Sequence, residues 1–253
     1  MKNVFNHLKN CKAQKGRKGA PKPVSYRQLR PDNLCSCQYR HLLLCLFWVI
    51  YGIVFTLIER YLTAERYYPM HCALDDWIPF CELFIIPYTF WYFYLLGAHL
   101  FLLRYDVAAF RKMMLFFIIT YAYAILFCIF FPNCQELRPE HFARNNLLTR
   151  LTGRIYAADT NTNVSPSMHV LGTLAATFAL WNTNRFRTKQ GHTTLAVIAV
   201  LICVSTVFVK QHSVLDIIAA LPISAVAWLI CFRRKERHSK KKRERGAIAW
   251  FAA

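Results

Sequence analysis

Apolar residues fall in six long runs separated by polar stretches. The first run, "LLLCLFWVIYGIVFTLI" within His41 to Leu62, holds no charge. A helix that crosses a bilayer needs about 20 predominantly apolar residues, so each run reads as a candidate span. The second extends from about Trp77 to Leu103 and carries Pro79, Glu82 and Pro87, which predicts a kink. The third is Met113 to Pro132. The fourth is short and starts near Ser167, where "HVLGTLAATFALW" supplies small residues that let helices approach closely. The fifth and sixth run from about Thr193 to Val209 and from about Val214 to Phe232. The fold class expected is therefore all-α, a six-transmembrane helical bundle. It divides into a basic, disordered N-terminal tail (1–40), a six-span catalytic domain (41–232) and a basic C-terminal tail (233–253).

Composition sharpens this picture. Of 253 residues 56% are hydrophobic, yet Lys and Arg number 32 against 13 Asp and Glu. That mixture suits neither an ordinary soluble domain nor a disordered chain, because greasiness and charge are segregated. Ten basic residues lie in residues 1–40 and nine more in "RRKERHSKKKRER", Arg233 to Arg245. The loops "RYDVAAFRK" and "TNRFRTKQGH" are also basic. Placing both termini and these two loops in the cytosol satisfies the positive-inside rule and agrees with an even number of spans. Loops 133–166 and 210–213 then face outward. Neither basic tail carries a nucleic-acid recognition motif, so they read as topology determinants that attract anionic headgroups on the cytosolic face. No short apolar core follows Met1 closely, so the first span, not a signal peptide, is expected to direct insertion.

Ten cysteines raise the question of metal or disulfides. "CSC" at Cys35 to Cys37 lacks a second Cys or His pair at zinc-site spacing. Cys45, Cys81, Cys128, Cys203 and Cys231 fall in spans and read as small apolar residues. Cys72 and Cys134 both land in outer loops, where a bridge between them is open. The adjacent Asp75 and Asp76 in the first outer loop read as a solvated pair.

Nine histidines include two with a distinctive setting. His7, His41, His192 and His238 sit in or beside basic stretches, and His99 reads as a satisfied polar group inside a span. His169, in "NTNVSPSMHV", opens the fourth span, and His212, in "VKQHSVLD", opens the sixth. Both fall at the same membrane face in the topology above. Asp216 lies one helical turn beyond His212 on the same face, and an ionisable residue in an apolar run is a functional candidate by default. A carboxylate on one ring nitrogen leaves the other lone pair free to attack an electrophile. A His/Asp pair that only locks two helices is the bland alternative. Pro166 disfavours helix at Ser165, and Ser167 is a good N-cap, so a helix start with free N–H groups is expected beside His169. Such a start suits an anion. Arg138, Arg144, Arg150 and Arg154 in the same outer loop offer guanidinium groups for phosphate.

These residues resemble the type-2 phosphatidic acid phosphatase superfamily of integral-membrane lipid phosphatases and phosphotransferases, with features of its inositol phosphorylceramide synthase-like branch. The family signature reads KxxxxxxRP, then PSGH, then SRxxxxxHxxxD. "PSMH" (Pro166 to His169) matches the second part with Met168 in place of Gly. "STVFVKQHSVLD" (Ser205 to Asp216) matches the third in Ser, His and Asp, with Thr206 where Arg is usual. "FPNCQELRP" keeps Arg138 and Pro139 of the first part, with Phe131 in the place of lysine. The likeness covers roughly residues 78 to 232.

The resemblance implies a division of roles. His212 would be the nucleophile, Asp216 its orienting partner, and His169 the acid that protonates the departing lipid oxygen. Arg138, Ser167 and the helix N–H groups would hold the phosphate. Lys210 shares a helical face with Thr206 and is expected to stand in for the missing guanidinium. Neither metal nor cofactor is required. The expected activity is hydrolysis of a lipid phosphate at the extracytoplasmic face, in the plasma membrane of a bacterium or an endomembrane of a eukaryote. Transfer of a phospho-headgroup to a lipid alcohol uses the same residues, and a non-catalytic scaffold or transporter of the same fold is the reading from another class. Neither the lipid nor the oligomeric state is set by the sequence.

Overall fold

The computed structural model describes residues 23–61 and 66–233. Most of the two basic tails therefore lies outside the described residues. Within them are eight α-helices: α1 (Leu46–Tyr61), α2 (Ala73–Trp77), α3 (Ile85–Tyr105), α4 (Val107–Phe130), α5 (Leu147–Ala158), α6 (Met168–Trp181), α7 (Lys189–Phe208) and α8 (Val214–Cys231). The described strands, β1 (Tyr68–Pro69) and β2 (Asn133–Cys134), form one parallel pair between two loops. The architecture is an all-α membrane bundle. Five apolar helical stretches are long enough to cross a bilayer: Arg40–Tyr61, Glu82–Tyr105, Val107–Phe130, Lys189–Phe208 and Val214–Cys231.

The fourth apolar run behaves differently. Helix α6 has 14 residues, about 21 Å at about 1.5 Å per residue, against about 30 Å of hydrocarbon. What it lacks in length it makes up in burial, since α3, α4, α7 and α8 all pack on it. Leu171, Ala175, Ala176 and Ala179 are fully buried. Small residues at this centre let four helices approach it, which supplies dispersion contacts where lipid removes the usual hydrophobic drive. The periphery shows the reverse. On α1 only Ile58 is buried, while Val49, Ile50 and Ile53 are each about 60% exposed, as expected of a face solvated by acyl chains.

Several polar groups inside this core are paired. His99 donates from Nδ1 to the Leu95 carbonyl at 2.7 Å and accepts the Trp48 indole N–H at Nε2 at 3.1 Å. Asp106 closes the tight turn between α3 and α4 by accepting the Ala109 N–H at 3.0 Å. The described end of the N-terminal basic stretch packs here too. The Val24 N–H donates to the Arg104 carbonyl at 2.9 Å, and Tyr26 Oη donates to the Leu103 carbonyl at 2.8 Å.

The second run is interrupted rather than kinked. Helix α2 ends at Trp77, Pro79 lies in the non-helical link, and a short 3-10 turn at Glu82–Phe84 leads into α3. Pro87 then falls in the first turn of α3, where a missing N–H breaks no helical bond. Glu82 stays outside the helix and meets Arg144 at 3.2 Å.

Loop chemistry near β1 and β2 answers one open question and corrects one expectation. Cys72 and Cys134 are both free thiols. Asp76 is solvated and pairs with His71 at 2.7 Å, but Asp75 is fully buried. Adjacent residues on a short helix point in different directions, so α2 turns one carboxylate to solvent and the other into the bundle.

Candidate active site

The approach to α6 builds one half of the site. Ser167 holds extended backbone (φ −61°, ψ 117°) and ends the loop, so that His169 falls in the first helical turn. Its ring is sandwiched between two side chains of α3, with centroids 4.3 Å from Tyr88 and 4.2 Å from Trp91. Tyr121 of α4 donates to the Met168 carbonyl at 3.1 Å. Gly172 permits this crowding. A Cβ there would lie 2.9 Å from Tyr121 Oη and 3.0 Å from Trp91 Cζ2. The aromatic wall thus fixes the imidazole plane, while His169 Nε2 is buried with no hydrogen-bond partner.

The other half is the turn from α7 to α8. The chain leaves α7 through Lys210, whose φ of +55° is left-handed. The N–H groups of Gln211 and His212 both donate to the Thr206 carbonyl, at 3.0 and 3.1 Å. Ser213 caps α8, and Asp216 returns its carboxylate to complete the box, Oδ2 accepting the Ser213 N–H at 2.9 Å. The same oxygen lies 3.2 Å from His212 Nδ1. An ionised carboxylate only accepts, so this contact assigns the proton to Nδ1 and leaves a lone pair on Nε2.

The two halves meet. The imidazole centroids of His169 and His212 are 5.9 Å apart, with planes inclined at 63°. The Ser167 N–H donates to the Asp216 carbonyl at 3.2 Å, which ties the start of α6 to the first turn of α8. Two helix N-termini, each a positive dipole end, therefore converge on one spot, with the Val214, Leu215 and Asp216 N–H groups that open α8 already donating to Asp75 Oδ1, Ser213 Oγ and the Ser213 carbonyl.

The remaining candidates occupy distinct places. The Ser167 hydroxyl is buried and without a partner. Arg138 spends its terminal nitrogens on the carbonyls of Tyr156 (3.1 Å), Asp159 (3.0 Å) and Thr160 (2.8 Å) and on Gln211 Oε1 (2.7 Å). It stacks on Tyr156 and so closes the C-terminal end of α5 beside residue 211. Lys210 turns its Nζ to the Asp75 carbonyl at 2.8 Å. Burial lowers the pKa of both cations, opposed at Lys210 by Asp75 and Asp76 and at Arg138 first by Asp159. Arg144 is engaged with Glu82, while Arg150 and Arg154 are exposed and line a cavity of about 260 Å³ with Leu147 and Leu151. The structure does not bring these three onto the histidines.

Buried side-chain atoms without partners are concentrated here. Ser165 Oγ, Ser167 Oγ, His169 Nε2, Gln211 Nε2 and Arg138 Nε are all in or beside the loops that frame the two rings. Buried polar groups are normally paired, so these atoms, together with the unpartnered Asp216 Oδ1, mark a site that a polar ligand would satisfy. Among the described residues no group of three His, Cys, Asp or Glu could hold a metal ion.

Several contributors carried no sequence signal. Tyr88 and Trp91 sit in an aromatic-rich run whose moment toward any one face is hidden. Asp159 contributes its backbone carbonyl, which accepts the Arg138 guanidinium at 3.0 Å. Asp75 is distant in sequence, and only its tertiary contacts reveal it.

A search with protein-family models matches the PAP2 superfamily over residues 115–240. That span contains Arg138, Ser167, His169, Lys210, His212 and Asp216. No curated protein and no solved structure matches the chain.

Proposed function

From a chain that belongs to the PAP2 superfamily, and is thus a multi-pass membrane protein of a family acting on phosphate esters, we propose a lipid phosphate phosphatase working through a phosphohistidine at His212. The observation that carries this reading is the 5.9 Å approach of the His169 ring to a His212 ring whose Nδ1 is held by Asp216.

In the first step the His212 Nε2 lone pair attacks phosphorus and the bond to the lipid oxygen breaks. Protonated His169 gives its proton to that oxygen, and the neutral lipid alcohol departs. In the second step neutral His169 takes a proton from water as its oxygen attacks phosphorus. The N–P electron pair returns to His212, and phosphate leaves. Asp216 fixes the tautomer and stabilises the positive charge that builds on the ring, the general logic of a carboxylate–histidine pair. Ser167 and the N–H groups at the start of α6 are suited to the phosphate oxygens. Arg138 and Lys210 bring positive charge to the rim while bracing its walls. We place the site on the extracytoplasmic face because the basic loops 104–112 and 183–192 lie at the other ends of the helices.

The test uses detergent-purified protein with radiolabelled phosphatidate, with and without ceramide or diacylglycerol. Release of free phosphate without acceptor supports the phosphatase. Product formed only with an alcohol acceptor would move the assignment to a phosphotransferase, and no turnover of any phosphate ester would leave a non-catalytic protein of this fold.

A further inference from the structure

The turn that carries His212 is held from outside the matched region, by a residue that none of the motifs contains. Asp75 on α2 is fully buried and uses every acceptor it has. Its Oδ2 accepts the Ser213 hydroxyl at 2.6 Å and the Cys72 N–H at 2.9 Å. Its Oδ1 accepts the Val214 N–H at 2.8 Å. Its backbone carbonyl accepts Lys210 Nζ at 2.8 Å. Residues 210, 213 and 214 bracket His212 on both sides, so one residue clamps the whole turn. A second tie runs alongside, where the Cys81 N–H donates to the Phe208 carbonyl at 3.1 Å.

We infer that Asp75 is a positioning residue for the reaction, holding the His212–Asp216 turn at the distance from His169 that phosphoryl transfer requires. This rests on the phosphohistidine reading above. The physical argument has three parts. Val214 N–H is one of the orphan donors of a helix start, and Asp75 is its partner. Ser213 donates its hydroxyl hydrogen to Asp75, which leaves Ser213 Oγ lone pairs for the Leu215 N–H at 3.1 Å and keeps the α8 cap in register. Lys210 sits in a left-handed conformation that a non-glycine residue adopts at some cost, and the Asp75 carbonyl anchors its side chain. Burial pushes the Asp75 carboxyl up, but hydrogen bonds from Ser213, Val214 and Cys72 outweigh it and hold the pKa below the ordinary value. The group is therefore an anion at neutral pH, strong as an acceptor.

Asp75 does not touch the reacting atoms. Its removal should loosen the turn without removing a ligand to phosphate, so kcat should fall and KM should not. Misplacing a catalytic group by about 1 Å costs on the order of a hundredfold in rate.

The variant is Asp75→Asn, which preserves volume but has one acceptor oxygen, so it cannot serve both the Val214 N–H on one side and the Ser213 hydroxyl and Cys72 N–H on the other. The readouts are steady-state kcat and KM on phosphatidate, the rate at which acid-labile label appears on His212 after rapid mixing, and the active fraction by burst titration. The expected result is a fall of about ten- to a hundredfold in kcat and in labelling rate, with KM held within about twofold. Combining it with Ser213→Ala should add little further loss, because both act through one contact. An unchanged labelling rate in Asp75→Asn overturns the inference. So does a loss that disappears when rates are corrected for the active fraction, since Asp75 would then serve folding alone. If the wild type turns over substrate without any label on His212, the phosphohistidine reading itself fails, and this outcome is distinguishable because it needs no variant.

Discussion

The N–H of Ser167 donates to the backbone carbonyl of Asp216 at 3.2 Å, while the side chain of the same aspartate holds His212 at 3.2 Å. One residue thereby joins the start of α6 to His212 on the turn before α8. Replacing Asp216 by Asn keeps the volume and the backbone bond. The amide, however, can donate to His212 Nδ1, which moves the ring proton to Nε2 and occupies the attacking lone pair. A loss of about a thousandfold or more in kcat is expected, the scale found when a carboxylate that fixes a histidine tautomer is neutralised. Single-turnover labelling of the protein reports this step directly, and a variant that labels at the wild-type rate would show that Asp216 is structural.

His169 is assigned to proton transfer, and leaving-group chemistry separates that role from phosphate binding. His169→Gln should slow hydrolysis of phosphatidate, whose alkoxide must be protonated to leave, by about a hundred- to ten-thousandfold. With p-nitrophenyl phosphate the leaving oxygen needs no proton, so formation of the phosphoenzyme should be nearly preserved. Equal losses on the two substrates would argue that the imidazole serves only to hold phosphate.

Much of this was readable from the chain, and the residues that were not share a cause. Apolar runs revealed the long helices because lipid imposes length and composition on each span independently. His169, His212 and Asp216 were legible because a polar group at the edge of an apolar run stands out locally. Pro79, by contrast, looks like part of a span until it falls in the non-helical link between α2 and the 3-10 turn at Glu82–Phe84. Asp75 is indistinguishable from its solvated neighbour Asp76 until the α8 cap is folded against it. Tyr88 and Trp91 are two aromatics among many on α3, and only packing on His169 separates them from lipid-facing rings such as Phe93, which is 69% exposed.

Gly172 tests whether the aromatic wall matters. An added Cβ would approach Tyr121 Oη to 2.9 Å and Trp91 Cζ2 to 3.0 Å, and neither ring has a flexible end that yields cheaply. Gly172→Ala should destabilise the bundle by about 1–3 kcal/mol, as overpacking commonly does. It should also lower kcat, because Trp91 must shift against His169. Thermal unfolding in detergent measures the first effect, and a melting temperature equal to the wild type's would mean that the neighbours relax freely.

Asp75 adds a pH signature. Its carboxyl is held below the ordinary value of 3.8 by hydrogen bonds that outweigh its burial. A group with a depressed folded pKa contributes stability above its unfolded pKa and loses it as pH falls through the folded value. Wild type should therefore melt above Asp75→Asn at neutral pH, and the gap should narrow once the pH drops below about 4. A gap constant from pH 7 down to about 3 would show that charge plays no part in the clamp.

Arg138 offers a test of shape against charge. Its two terminal nitrogens reach the Tyr156, Asp159 and Thr160 carbonyls and Gln211 Oε1, and its guanidinium carbon lies 4.7 Å from the Tyr156 ring centroid. A lysine keeps the positive charge near the C-terminal dipole of α5 but lacks the planar fork and the stacking face. If Arg138 acts mainly by long-range charge on the phosphate, Arg138→Lys should retain most activity. The contacts argue otherwise. The end of α5 would lose carbonyl partners, Gln211 would lose its anchor, and the residue next to His212 would gain freedom. We expect Arg138→Lys to lower kcat/KM at least about tenfold, equivalent to about 1.4 kcal/mol, and to speed proteolytic cleavage within 156–162. Near-wild-type kinetics together with faster cleavage would confine Arg138 to holding the loop.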